Sequence, residues 1–299
     1  MSPTPSRKLA LITGGAGFVA TNVADRLLRD GWHVRLFDNL SRAGVSRNIE
    51  WVTSTHAASD PSRVEVVIGD VRDRAAVCRA VEGVSRVFHF AAQVAVTTSL
   101  DEPRLDFDVN AGGTLNVLEA MRAQLQPPSL LFTSTNKVYG HLDDLPLRAV
   151  MQRYAPEDEQ IARRGIGERR PLDFHSPYGC SKGAADQYVL DYAHTFGLAA
   201  TVFRMSCIYG PHQFGTEDQG WVAHFIIQAL QCAPLTLYGD GRQVRDVLFV
   251  DDLVTAMLLA HDHIDRLSGQ AFNIGGGVEN TTSLLELIDL ITTLIGRRP

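Results

Sequence analysis

Residues Leu9–Arg29 change their hydrophobic period once, at a cluster of glycines, and this constrains the fold more than any other feature. Leu9–Thr13 is a short apolar run that stops at Gly14, the pattern of a buried strand. Phe18–Arg29 then repeats Val19, Val23, Leu27 and Leu28 at helical spacing. The alternation continues down the chain. Strands are predicted at Val34–Phe37, Val64–Ile68, Val87–Phe90, Leu130–Thr133 and Ala200–Arg204. Helices are predicted at Asp73–Val81, about Asp106–Gln124, Tyr178–Phe196 and Trp221–Leu230. Strands that are apolar on both sides need helices on both sides, so the pattern predicts an α/β fold with a doubly wound parallel sheet.

Leu142–His175 departs from this rhythm. It is rich in charge and carries Pro146, Pro156 and Pro171, which predicts a long loop over the carboxyl end of the sheet, where such folds bind ligands. After Leu230, short strands and helices interleaved with Gly and charge are predicted at Leu235–Asp240, Val247–Val250, Asp251–Ala260, Phe272–Ile274 and Thr282–Ile295. These predict a smaller C-terminal lobe. The expected division is residues 1–199 for the larger domain and 200–299, interleaved with it, for the lobe that takes the substrate.

Composition narrows the function. The 299 residues carry 28 Lys and Arg against 34 Asp and Glu, a net charge of −6, which argues against nonspecific nucleic-acid binding. The four cysteines, Cys78, Cys180, Cys207 and Cys232, form no CxxC pair, so no metal or redox site is expected and a cytoplasmic setting fits. Residues 1–8 lack the apolar stretch of a signal peptide, and no apolar run is long enough to span a membrane.

Thr13-Gly14-Gly15-Ala16-Gly17-Phe18-Val19-Ala20 joins strand to helix, the context a dinucleotide fingerprint requires. Gly14 permits the tight turn, and Gly17 lets a pyrophosphate approach N–H groups at a helix start. Asp38 ends the second strand, where a carboxylate takes the adenosine ribose hydroxyls and repels a 2′-phosphate. This favours NAD over NADP on a Rossmann-type sheet. Arg42 is either a cofactor contact or a solvated loop charge. Asp70 is either an adenine contact or a helix cap.

Tyr178 and Lys182 are four residues apart and share a helix face. An ammonium beside a phenol lowers the phenol's pKa and fits it to act as a general base. Thr135, at the end of the fifth strand, offers a hydroxyl to the same crevice. His89 lies inside an apolar strand and reads as a satisfied core residue. Asp251 and Asp252 read as favourable charges at a helix start, and not as a metal pair.

With those residues in place, the sequence resembles the extended short-chain dehydrogenase/reductase superfamily, and within it the CDP-paratose 2-epimerase (CDP-tyvelose epimerase) family. The narrower likeness rests on Phe37–Arg42, Gln93–Ser99, Ser134–Gly140, Leu172–Lys182 and Asp218–Trp221. It implies Tyr178 as base, Lys182 on the nicotinamide ribose and Thr135 on the sugar hydroxyl. Asp38, Asn39, Ser41 and Arg42 would follow the adenosine ribose, Asp70 and Val71 the adenine. Gly14, Gly17, Phe18, Val19, Phe90, Ala91, Ala92, Gln93 and Thr133 would complete the cofactor site. Gln93, Thr97, Thr135, Asn136, Lys137, His175, Tyr178 and Arg204 would meet the substrate, with Gln243 and Arg245 at its diphosphate. The substrate implied is a nucleotide-diphosphate sugar, a CDP-sugar favoured, and the implied assembly is a homodimer or higher homo-oligomer. Pro211 and His212 depart from the Gly-Arg usual before Gln213-Phe214. Relatives also continue some tens of residues past the position of Pro299, a stretch that would add nucleotide contacts.

The expected reaction is inversion at C2 through a transient ketone. Two other readings stay open at this point: a 4-epimerase or another NAD-dependent nucleotide-sugar oxidoreductase, and a noncatalytic NAD-binding protein. A 4,6-dehydratase is disfavoured, because Asn136 and Lys137 stand where that reaction needs an acid and a carboxylate.

Overall fold

The computed structural model describes residues 8–58 and 60–299; the reading made above of residues 1–7 lies outside the described residues. Strands run in chain order as β1 (Leu9–Thr13), β2 (His33–Asp38), β3 (Val64–Ile68), β4 (Arg86–His89), β5 (Ser129–Thr135), β6 (Leu147–Val150), β7 (Arg153–Pro156), β8 (Ala200–Met205), β9 (Cys207–Tyr209), β10 (Val244–Phe249), β11 (Ala271–Ile274) and β12 (Thr281–Ser283). Seven of them form one parallel sheet in the order β11-β8-β5-β4-β1-β2-β3. The order reverses between β1 and β4, and a crevice opens there at the carboxyl ends of the strands.

Helices follow as α1 (Phe18–Arg29), α2 (Ser46–His56), α3 (Arg74–Val81), α4 (Val96–Asp101), α5 (Pro103–Phe107), α6 (Gly113–Arg122), α7 (Glu159–Arg164), α8 (Ser176–Phe196), α9 (Trp221–Gln231), α10 (Val250–Asp262), α11 (Ile264–Leu267) and α12 (Leu284–Ile295). Strand alternation decides which face each side chain takes. Leu9 and Leu11 of β1, with Leu130 and Phe132 of β5, pack against α3, α6 and α8. Ala10, Ile12 and Leu131 point the other way, onto α1 and α10. Both faces are therefore covered, as the unbroken apolar strands predict.

Three segments differ from the sequence reading. Leu142–His175 holds the β6–β7 hairpin and α7. The β6 side chains are all exposed, so no buried alternation marked the strand. The helix expected over about Asp106–Gln124 is interrupted, since Asp108–Gly112 is wound as a π-helix between α5 and α6. Leu235–Asp240 forms no strand; the strand of that region is β10, starting at Val244.

The smaller sheet, β12-β10-β9, carries α9 and α12 around a core of Val222, Phe225, Leu287, Ile288 and Ile291. The chain returns to the main sheet at β11 before it completes this lobe. No described helix is long and apolar enough to cross a membrane.

Candidate active site

The glycine turn is held by its neighbours. Gly14 has φ +66, and a Cβ there would stand 2.8 Å from the Ala91 nitrogen. Gly17 caps α1 without a side chain, and no side-chain hydrogen bond covers the first-turn N–H groups. The Asp38 carboxylate at the end of β2 accepts from the backbone N–H of Ala16 at 3.1 Å and of Leu40 at 2.7 Å. A cavity of about 440 Å³ opens here, lined by Gly14, Gly17, Asp38, Asn39, Ser41, Arg42, Asp70, Val71, Phe90, Ala91, Ala92 and Gln93. Asp70 is not the helix cap: Asp73 caps α3, accepting from Ala75 and Ala76. Asp70 instead accepts from Arg72 and from Asn39 at 2.9 Å, and the Arg72 hydrogen bond holds it well below the usual carboxylate range. Two carboxylates, a residue-free turn and an uncovered helix start fit the adenosine and pyrophosphate of a dinucleotide.

A second cavity of about 440 Å³ shares Gly14, Gly17, Phe90 and Ala92 with the first. It brings together Phe18, Val19, Thr97, Thr133, Thr135, Asn136, Lys137, Tyr178 and Lys182. Pro177 in the first turn of α8 fixes the helix start, so Tyr178 and Lys182 project from successive turns into this space. Burial pushes the Tyr178 phenol up to about 12, opposed by its hydrogen bond with the Thr135 side chain. Burial also lowers Lys182 to about 7, against the pull of Asp186 and Asp106. The Lys182 ammonium donates to the Thr133 carbonyl oxygen at 2.6 Å and lies 4.3 Å above the Phe132 ring.

The profile of the family described as "NAD dependent epimerase/dehydratase family" matches residues 10–275. The chain belongs to this family. A CDP-paratose 2-epimerase of Salmonella typhi is 45% identical over 288 residues, which is 94% of this chain and 82% of that protein. The Thermus thermophilus UDP-glucose 4-epimerase in complex with NAD is 33% identical, with TM-score 0.79 over 97% of this chain and 84% of that one. The dTDP-glucose 4,6-dehydratase DesIV of Streptomyces venezuelae, with NAD and TYD bound, is 27% identical, with TM-score 0.77 over 97% and 81%. The enzyme is NAD-dependent, and the two cavities above are where its residues fit that cofactor.

Not every residue expected at this epimerase/dehydratase site is there. Arg204 is 5% exposed and turned away: its guanidinium binds both Asp186 oxygens at 2.9 Å and the Tyr139 hydroxyl at 3.0 Å. A buried cation at a strand end reads in sequence like a ligand contact, but the carboxylate one turn beyond Lys182 claims it. His175 lines neither cavity; it bonds Asp173 at 2.9 Å and its ring lies 4.5 Å from that of His141. Gln243 donates to the Tyr238 carbonyl at 2.6 Å and Arg245 to the Val244 carbonyl at 3.0 Å, and neither lines the cavities. Arg245 still acts on Lys137 and Cys207 through its charge. His89 is a core residue as expected, between the hydroxyls of Thr13 at 2.6 Å and Thr114 at 3.0 Å.

Sequence reasoning missed Ser206 and Cys207, which line the second cavity with Ser134 and Trp221. The hydroxyls of Ser134 and Ser206 are buried without a partner. A signal existed. β5 and β8 are parallel neighbours with Thr135 beside Met205, so a small polar residue just past either strand faces one crevice.

Proposed function

We propose that this enzyme epimerises a nucleotide-diphosphate sugar at C2 by way of a transient ketone, with a CDP-sugar of the CDP-paratose to CDP-tyvelose type as substrate. The observation that carries the reading is the convergence of Thr135, Tyr178 and Lys182 in one cavity beside Asn136 and Lys137. The first three suit proton removal from a sugar hydroxyl. The last two disfavour dehydration, because an amide is no acid and an ammonium is no base.

A carbon without an adjacent carbonyl cannot lose its proton easily, so inversion needs oxidation of its hydroxyl. NAD held at the glycine turn and Asp38 would supply the hydride acceptor for that oxidation and the hydride donor for the re-reduction. Tyr178 takes the hydroxyl proton. Lys182, as an ammonium, favours the phenolate and suits the ribose hydroxyls. Thr135 shares the sugar oxygen and orients it. The 45% identity to the Salmonella typhi protein favours C2 and a CDP-sugar; the UDP-glucose 4-epimerase likeness supports C4 inversion as the second reading.

Substrate deuterated at C2 tests this. The label stays in the product if hydride leaves and returns, and is lost to water if the carbon is simply deprotonated. Product NMR showing inversion at C4 would keep the redox route and replace the substrate.

A homodimer is also proposed. Phe107, Tyr188 and Phe196 are exposed apolar side chains on the segments at about 106–124 and 178–196, the two helices that the resemblance pairs across a subunit boundary, and Leu100 on the neighbouring α4 is exposed as well. Sedimentation equilibrium showing only monomer at micromolar concentration would remove it.

A further inference from the structure

Asp106 lies on α5 with its residue fully buried, 0% exposed. Its carboxylate accepts a short hydrogen bond from the Ser181 hydroxyl and a second, at 3.2 Å, from the Asn110 amide. Ser181 stands between Tyr178 and Lys182 on α8. It accepts from Asn110 at 3.0 Å and lies 3.2 Å from the Tyr178 carbonyl oxygen. Asn110 sits in the π-helical turn and clasps the Gln93 backbone through two bonds, of 2.9 and 3.0 Å. One carboxylate thus ties the catalytic helix to the strand-end segment that lines the cofactor cavity.

Among the described residues no ion pair reaches Asp106 within 4.0 Å. The two donors meet different oxygens of the carboxylate, so an amide, with a single acceptor oxygen, could serve only one of them. The second acceptor brings a buried charge with it, and that charge acts on what faces it. From α8 these groups are Lys182, Tyr178 and Asp186; Asp186 is neutralised by Arg204. From β4 the group is His89, enclosed by two threonine hydroxyls and kept neutral by burial. On α4 Asp101 is exposed, on α6 Glu119 pairs with Arg122, and Asp108 pairs with Arg104. Lys182 is the cation left for Asp106 to act on.

We propose that Asp106 is a positioning residue: through Ser181 it fixes the turn that carries Tyr178 and Lys182, and through its charge it keeps Lys182 an ammonium in a buried site. The inference rests on Tyr178 and Lys182 being the working pair. Its value to the reaction is that a neutral Lys182 would no longer favour the phenolate; the Asp106 charge acting directly on the Tyr178 phenol pulls the other way, so the effect on the base runs through Lys182.

The test uses NAD-loaded protein with labelled lysine, following the Lys182 ε-carbon resonance by NMR, assigned through Lys182→Met. Asp106→Asn keeps the size, removes the charge and turns one of the two acceptor oxygens into a donor. It is expected to lower the Lys182 titration midpoint by on the order of one pH unit, the scale of one nearby buried charge. Asp106→Glu restores the midpoint. An unmoved midpoint in a folded, NAD-loaded Asp106→Asn protein overturns the proposal. If that variant does not fold, the parent protein decides: the Lys182 resonance must show a second inflection where the Asp106 carboxyl titrates, and its absence is equally fatal. Turnover of Tyr178→Phe on CDP-paratose is measured alongside. Near-parent turnover there sinks the base assignment, whereas a dead Tyr178→Phe with an unmoved Lys182 midpoint sinks only the role of Asp106.

Discussion

The Lys182 ammonium and the Thr133 carbonyl oxygen meet at 2.6 Å, which ties α8 to the carboxyl-terminal half of β5 beneath it. This contact holds a cation that burial has brought down to about 7 from 10.5. The sign of the consequence follows from proton counting. Between those two values the unfolded chain binds more protons than the folded one, so this group makes stability rise with pH across that window. Tyr178 does the reverse. Its folded value of about 12 lies above the model-peptide 10.0, so its contribution falls with pH between them. We predict that Lys182→Met flattens the upward slope of urea stability between neutral pH and pH ~10. An unchanged slope would show that Lys182 binds its proton as tightly in the folded protein as in the unfolded chain.

Tyr178→Phe is expected to cut turnover by ~10²-fold or more while the protein still retains NAD, the scale for losing general acid–base catalysis. The ring stays, so packing around the buried side chain is kept and the loss is assigned to the oxygen. NAD content is read by denaturing the protein and identifying the released nucleotide by mass.

The fold was legible because its strands are apolar on both faces and its breaks are marked by glycine, as at Gly14 and Gly17. The placing of Asp38, Tyr178 and Lys182 at the carboxyl-end cavities was legible, because strand-end and helix-start positions on such a sheet face that crevice. The site was illegible where partners come from far along the chain. Arg204 looks like a ligand contact until Asp186 is seen against it, a pairing that only the packing of α8 on β8 creates. The placing of Asn110 against Ser181 has no signal in the sequence because a π-helical turn has no period of its own, and the buried contact of Asp106 on α5 with the same serine depends on that packing. The β6–β7 hairpin was hidden because β6 is exposed throughout and β7 meets the smaller lobe through polar bonds from Arg153 to Glu286 and Thr281, so neither strand needs apolar alternation.

Arg204→Met should act on stability and leave the substrate KM near that of the parent. Removing one partner of a buried pair leaves the other charge uncompensated, at a cost of about 3–5 kcal/mol. The Asp186 carboxylate is that stranded charge, and Tyr139 loses a donor as well. Chemical denaturation gives the stability, and the KM for CDP-paratose is taken below the unfolding transition. A raised KM with unchanged stability would return Arg204 to the substrate.

The cofactor grip is predicted to fail from the backbone outward. At Gly14 an alanine would need a left-handed conformation, φ +66, and would drive its Cβ against the Ala91 nitrogen and the Phe90 carbonyl carbon, at 2.8 and 2.9 Å. The strain alone is of order 1–3 kcal/mol. Ala91 and Phe90 line the cofactor cavity, so the displacement also closes the space that a pyrophosphate needs. Asp38→Ala acts differently: it frees the Ala16 and Leu40 N–H groups and removes the negative charge at the end of β2. Gly14→Ala should therefore lose NAD outright and melt earlier. Asp38→Ala should lose NAD more than tenfold in affinity while its discrimination against NADP narrows, because the charge that repels a 2′-phosphate is gone. Equilibrium dialysis of both nucleotides against both variants separates the two effects. Unaltered NAD and NADP affinities in Asp38→Ala would place the adenosine ribose somewhere other than the end of β2.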